Sequence, residues 1–359
     1  MVVLDRVGSD NLRIQTLREA KRDDSSLVLC NFDISVVVAG AVRDLLRLDP
    51  YDRTWEVEIL GLDLTNSILS SIFSQALAGK ISSITVYGEF YPHILDQVSV
   101  ENLSSTLKHV SLGTLFEIPD VYSMKNWLMQ LTSLESLSLQ QRRHQRFLER
   151  FLPAYTPTSQ LKKLCLEEFT IHKEMIFEIE EWQHLEDLSF IRCQFYDPSG
   201  RVFSRFDSDD DSSNEYVWSM GFDQLTQLSR IEVSFHQVHY LTELISHPGC
   251  QLKIVDAHRV VLGTPRVTEE QTEELIMTLE NNRTIEAFYT HNDQFDMLCS
   301  PYVKRNLVYN KLISTSVNIP AGLWPHLLEL VAGSSSSWSC GIDALYFVFR
   351  NGGLLSMEH

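Results

Sequence analysis

The sequence predicts an α/β solenoid: short parallel strands forming a curved sheet on the concave face, helices on the convex face, and a helical cap at the C-terminal end. Three observations predict it. An apolar-x-x-apolar-x-apolar pattern recurs along the chain at a near-constant interval. Apolar stripes with helical spacing fill the intervals. A chain of 359 residues, 44% of them hydrophobic and 22% charged, supplies a core and does not read as disordered.

The strand pattern fits "VEILGL" from Val57, "ISSITV" from Ile81, "LKHVSL" from Leu107, "LESLSL" from Leu134 and "LKKLCL" from Leu161. It fits again with "LEDLSF" from Leu185, "LSRIEV" from Leu228, "LKIVDA" from Leu252 and "IEAFYT" from Ile285, and a degenerate copy, "LVLCNF", starts at Leu27. Successive clear starts lie 24 to 27 residues apart, except for steps of 43 and 33. The uneven rhythm has a physical origin. Strand side chains alternate between two faces, so the fourth and sixth positions point to the core and the third, fifth and seventh point away. The first position anchors the turn that leads into the strand. Parallel neighbours require a crossover of a dozen or more residues, often a helix.

Helical stripes occupy those crossovers. In "DLTNSILSSIFSQALAGK", Ile68, Leu69, Ile72, Phe73, Ala76 and Leu77 form one apolar face, Thr65 or Asn66 caps its start and Gly79 ends it. "MKNWLMQL", "HQRFLERFL", "EMIFEIEEW" and "VHYLTELI" fill the same slot later. In "VTEEQTEELIMTLENN", Thr268 and Gln271 have capping-box spacing, and Leu275, Ile276 and Leu279 form the stripe.

With these units in view, the array resembles the ribonuclease-inhibitor-like class of leucine-rich-repeat proteins over roughly Leu27 to Asn292. The asparagine or cysteine expected at the ninth position of each unit is present as Cys193. Elsewhere Thr65, Glu89, Leu115, Arg142, Phe169, His236, Val260 and Asp293 stand there, so irregular curvature is expected. The tail, "RNLVYNKLI" through "IPAGLWPHLLELV" to "GIDALYFVFRNGG", resembles the ends of a large set of diatom leucine-rich-repeat proteins, which implies a lineage and a fold.

The expected organisation is an N-terminal arm or cap over residues 1–26, the solenoid over 27–300 and a helical C-terminal cap over 301–359. "NLRIQTLREAKR" reads as a helix within the arm. The 43-residue step holds an acidic loop insertion at 196–217, with Asp207, Asp209, Asp210, Asp211 and Glu215. Asp207, Asp209 and Asp211 match the first ligands of an EF-hand loop, but Ser212 replaces its glycine and Trp218 its bidentate glutamate, so the loop reads as solvated rather than calcium-binding. Ser208, followed by three aspartates, suits an acid-directed kinase.

Charge and composition exclude several classes. A net charge of −18 repels phosphates and anionic headgroups, so neither nucleic acid nor membrane is an expected partner. The one basic run, Arg142-Arg143-His144-Gln145-Arg146, reads as a solvated helix face. The longest apolar run, "ISVVVAGAV", is about half a membrane span. The N-terminus lacks a secretory signal and the six cysteines form no CxxC pair, so an intracellular, cytoplasmic protein with reduced thiols is expected, the nucleus remaining open. The sequons at Asn102 and Asn282 are then unmodified. His236 and His239 lack further ligands at fixed spacing, Cys165 reads as a small strand residue, and no GxSxG, GxGxxG or phosphate-binding glycine loop occurs. No enzyme activity, cofactor, metal or small-molecule substrate is expected. Trp127, Trp182, Trp218 and Trp324 read as core or cap packing.

The outward face of the strands remains as the candidate surface. Its register gives Tyr87, His109, Gln140, Lys163, Glu167, Asp187, Arg230, Glu232, Asp256, His258, Tyr289 and His291 as candidate contacts, with Arg230, His258 and Tyr289 as anchors. The expected function is a non-enzymatic scaffold that binds an unidentified protein there. The alternative is a substrate adaptor of a ubiquitin ligase, although the N-terminal region has no "LPxE" opening of an F-box.

Overall fold

The computed structural model describes residues 1–4, 9–21, 23–30, 35–51, 53–60, 66–88, 94–95, 105–115, 121–141, 151–152, 155, 157, 160–196, 225–234, 241–258, 269–290 and 293–315. The elements in chain order are β1 (Val2–Leu4), α1 (Asp10–Arg18), β2 (Ser26–Cys30), α2 (Val36–Leu48), β3 (Trp55–Leu60), α3 (Asn66–Leu77) and β4 (Ile81–Tyr87). Then come β5 (His109–Leu115), α4 (Val121–Leu128), β6 (Ser136–Gln141), β7 (Lys163–Glu167), β8 (Thr170–His172), α5 (Lys173–Glu180), β9 (Asp187–Ile191) and β10 (Gln194–Tyr196). The last are β11 (Arg230–Ser234), α6 (Thr242–Ser246), β12 (Ile254–His258), α7 (Glu269–Asn281), β13 (Ala287–Thr290) and α8 (Asp293–Thr315). Eleven strands form one parallel sheet whose order follows the chain, and β8 pairs with β10 in a small second sheet. The chain divides into two compact units, Met1–Leu185 with Arg192–Arg201, and Glu186–Ile191 with Val202–His359.

In the first unit the repeat pattern becomes a stack. Ile84, Val110, Leu137 and Leu164 align strand to strand, as do Val86, Leu112, Leu139 and Leu166. All eight are buried, and so are the first-position anchors Ile81, Leu107, Leu134 and Leu161. Backbone bonds join successive anchors: Lys108 N–H donates to the Ser82 carbonyl at 2.8 Å, Glu135 to Lys108 at 2.8 Å and Lys162 to Glu135 at 2.9 Å. The second unit repeats the arrangement, with Leu188, Ile231, Val255 and Phe288 aligned and buried.

Two adjacent repeats share a further device. Glu168 and Arg192, each directly after the strand residue at the seventh position of its repeat, adopt φ of 61° and 53°. The next residues, Phe169 and Cys193, turn inward and are buried. The chain then enters the paired strands β8 and β10, with Thr170 opposite Gln194. Cys193 donates its thiol to the Leu166 carbonyl at 3.2 Å, the turn bond expected of a ninth-position cysteine, and burial pushes this thiol's pKa up.

Helix ends follow their local chemistry. Gly79 has φ +78°, its N–H donates to the Ala76 carbonyl and the Lys80 N–H donates to that of Gln75. This is a Schellman ending to α3, which glycine adopts without steric cost. Ile68, Leu69, Ile72, Phe73, Ala76 and Leu77 are all buried, and Phe73 meets Trp127 edge-on with ring centroids 5.0 Å apart. Trp182 is likewise buried, against Tyr155. Thr65 and Thr268 lie outside the described residues.

Three expectations need correction. The repeat frame at Val57 slips by three positions: Val57 pairs with Ile84 and Ile59 with Val86, while Trp55 pairs with Ile81 across a bulge and takes the anchor place. Leu60 therefore faces outward, opposite Tyr87. "WEVEIL" alternates apolar and charged residues, and burying Trp55, Val57 and Ile59 keeps Glu56 and Glu58 out of the core. The frame at Leu27 moves with it, because Leu27 pairs with Val57. The first 26 residues contain, besides the expected helix, the strand β1, whose Val2 and Leu4 are buried beside Leu27 and Leu29. The last described helix starts at Asp293 and runs through Pro301. Proline deletes one helical bond without forcing a stop.

The end of the array in the second unit is clasped by polar groups. Arg305, buried on α8, donates to the carbonyls of Leu279 (3.2 Å), Glu280 (2.9 Å) and Asn282 (2.6 Å) at the C-terminus of α7. A guanidinium there satisfies carbonyls that the helix leaves without partners. Asn306 donates to the Ile285 carbonyl at 3.0 Å. Asn282 is buried; its amide donates to Ile245 and its oxygen accepts from the N–H of Thr284 and Ile285. Those bonds hold the sequon asparagine in a structural role.

Candidate functional site

The candidate surface is the outward row of the strands. Its floor in the first unit is made of small polar residues: Ser83 lies beside His109, and His109 beside Ser136, which in turn neighbours Lys163. Thr85, Ser111, Ser138 and Cys165 form the next row. Gly113 continues it, and a Cβ there would sit 2.5 Å from the Val86 carbonyl oxygen and 2.7 Å from the Gly88 nitrogen. Only glycine allows that approach. Gln140 and Glu167 are neighbours across β6 and β7, and Tyr87 stands 53% exposed at the end of β4.

Charges in this unit are paired at both the leading and the trailing ends of strands. Lys108 and Glu135 lie 2.7 Å apart, and that ammonium holds the Glu135 carboxyl below its usual range. Arg192 forms ion pairs with Glu167 and, at 3.3 Å, with Glu168. The Glu167 hydrogen bond raises the guanidinium's pKa. Arg192 was missed by the sequence reading because only its left-handed backbone aims it back at the preceding strand. Glu56 and Glu58 were missed through the frame slip at Trp55; the alternation in "WEVEIL" was the available signal.

The second unit brings four predicted residues together. Arg230 lies 3.2 Å from Asp256, 3.9 Å from Asp187 and 3.9 Å from Glu232. The register explains the cluster: Asp187 sits directly beside Arg230, and Glu232 beside Asp256. Ser189 donates its hydroxyl to Glu232 at 2.7 Å. Tyr289, opposite Asp256 on β13, is 58% exposed. His258 holds a place on β12 opposite Ser234, and its side chain lies outside the described residues, as does the whole of His291. The acidic insertion, including Ser208, Asp207, Asp209 and Asp211, and the pair His236 and His239 also lie outside them.

Among the described residues, no group of three or more His, Cys, Asp or Glu side chains is placed to hold a metal ion, and no helix is long and apolar enough to cross a membrane. No protein-family model and no curated protein matches the chain.

Proposed function

We propose that this chain is a non-enzymatic leucine-rich-repeat protein of the ribonuclease-inhibitor-like class, whose rungs curve so that the outward strand face is concave and docks a protein partner. The observation that supports this reading is the contrast between the two faces of the strands. The inward positions are buried and, apart from Gln141 and Thr290, apolar, while the outward ones carry Tyr87, His109, Lys163, Arg230, Asp256 and Tyr289 at half-buried to exposed positions. A broad polar face with isolated exposed aromatics suits protein recognition better than a reaction, which needs a concave site with activated groups.

The test is affinity purification from native lysate with wild-type chain and with an Arg230→Ala, Asp256→Ala, Tyr289→Ala triple variant. Loss of specific partners from a variant that unfolds at the wild-type temperature supports the face. Undiminished recovery of every partner removes it.

A further inference from the structure

We infer that the second unit's part of this face receives an arginine side chain from an extended basic segment of the partner, bonded to Asp256 and stacked on Tyr289. The inference rests on the docking reading above and adds the chemistry of the partner.

Charge comes first. Among the described side chains at the outward positions of β9, β11, β12 and β13, Asp187, Glu232 and Asp256 surround Arg230. The three carboxylate side chains are only 22%, 14% and 22% exposed. Partly desolvated carboxylates attract an incoming cation more strongly than solvated ones do.

Shape then selects the cation. Tyr289 lies beside Asp256 in register, and adjacent strands are about 4.8 Å apart. Register and that spacing put a guanidinium that donates to the Asp256 carboxylate next to the Tyr289 side chain, on the scale of the roughly 6 Å over which a cation and a ring attract. A planar fork bonds the carboxylate bidentately while it stacks on the ring, whereas an ammonium is a point donor with no plane to stack and gains less from the pair. The chain already builds this arrangement once, internally. Arg53 lies 4.2 Å over the Trp55 ring and 5.1 Å over the Tyr51 ring while it donates to Asp49 at 2.7 Å. At Asp256 and Tyr289 the carboxylate and ring are in place on an open face, and the partner supplies the arginine.

Fluorescence anisotropy with a labelled glycine-serine peptide carrying spaced arginines, and with its lysine and citrulline counterparts, tests this. The arginine peptide is expected to bind about tenfold more tightly than the lysine one, with no measurable binding of citrulline. Asp256→Asn and Tyr289→Leu should each remove about tenfold in affinity, and Glu56→Gln in the first unit none. Equal binding of the arginine and lysine peptides overturns the inference, because net charge alone then suffices. Equal weakening by Glu56→Gln and Asp256→Asn overturns it as well. If the peptides fail in this way while the triple variant still loses native partners, the arginine chemistry is removed and the docking face stands.

Discussion

The outward faces of the two units are built on the same register and carry opposite characters. From β4 to β6 the third- and fifth-position rows of the first unit present Ser83, Thr85, His109, Ser111, Ser136 and Ser138, with His109 the one ionisable side chain among them. The matching rows of the second unit present Asp187, Arg230, Glu232 and Asp256. The inward rows do not differ in this way, being buried and mostly apolar in both, with Gln141 in the first unit and Thr290 in the second as polar exceptions. Stacking of rungs constrains only the inward side chains, so folding and recognition are written on alternate residues of the same strands.

The largest expected effect tests the shared half of that contrast. Leu137→Ala and Ile231→Ala should each cost about 2–5 kcal/mol, since both delete fully buried aliphatic side chains. Urea unfolding of the two variants measures this, and a much smaller loss in either unit breaks the equivalence of the inward rows. Next is Gly113→Ala, whose methyl group meets the Val86 and Gly88 backbone. It should cost about 1–3 kcal/mol, while Ser138→Ala on the neighbouring strand stays within about 0.5 kcal/mol. Similar values for the two would mean that the backbone yields and the first unit's floor is softer than its geometry implies.

Electrostatic changes should be smaller, and larger in the second unit than in the first. Arg230→Met removes the cation that three carboxylates surround and should cost about 1 kcal/mol at low salt, less as salt screens the repulsion. The matching change at Lys163, which is exposed, should fall within about 0.5 kcal/mol. Thermal unfolding across a salt series separates the two. The smallest effect belongs to Glu135→Gln. Lys108 holds that carboxyl below its ordinary value of 4.5, so its contribution is present above that pH and is lost as pH falls through the lower folded-state value. The variant should differ slightly from wild type at neutral pH and converge with it on acidification, as read from unfolding midpoints.

The alternation of faces was legible because leucine at the first, fourth and sixth positions has one mechanical meaning: an anchor and two inward side chains of a strand. It failed where another alternation competed. At Trp55 the largest apolar residue lies outside the template and the template's own Leu60 is expendable, so burial of the tryptophan sets the frame. The small sheet of β8 and β10 was not foreseen, because three residues carry no detectable period and the left-handed turns at Glu168 and Arg192 occur on residue types that rarely adopt them. The cap boundary read at residue 301 lies inside α8, which starts at Asp293. At the site, register alone placed Asp187, Arg230, Glu232 and Asp256 on one face. Their gathering about a single guanidinium depends on side-chain reach, which spacing does not encode.

The clasp of Arg305 on the last carbonyls of α7 has a consequence for solubility. α8, which carries it, packs against β13, the final strand in the sheet order. The outer strand of a sheet pairs readily with another chain where nothing covers it, and a helix packed on that strand is one way of covering it. Because a guanidinium stays charged at every physiological pH, the clasp holds regardless of acidity. Arg305→Ala should therefore lower the unfolding midpoint, because the carbonyls of Leu279, Glu280 and Asn282 lose that donor, and where the change also loosens α8 from β13 it should show as concentration-dependent light scattering.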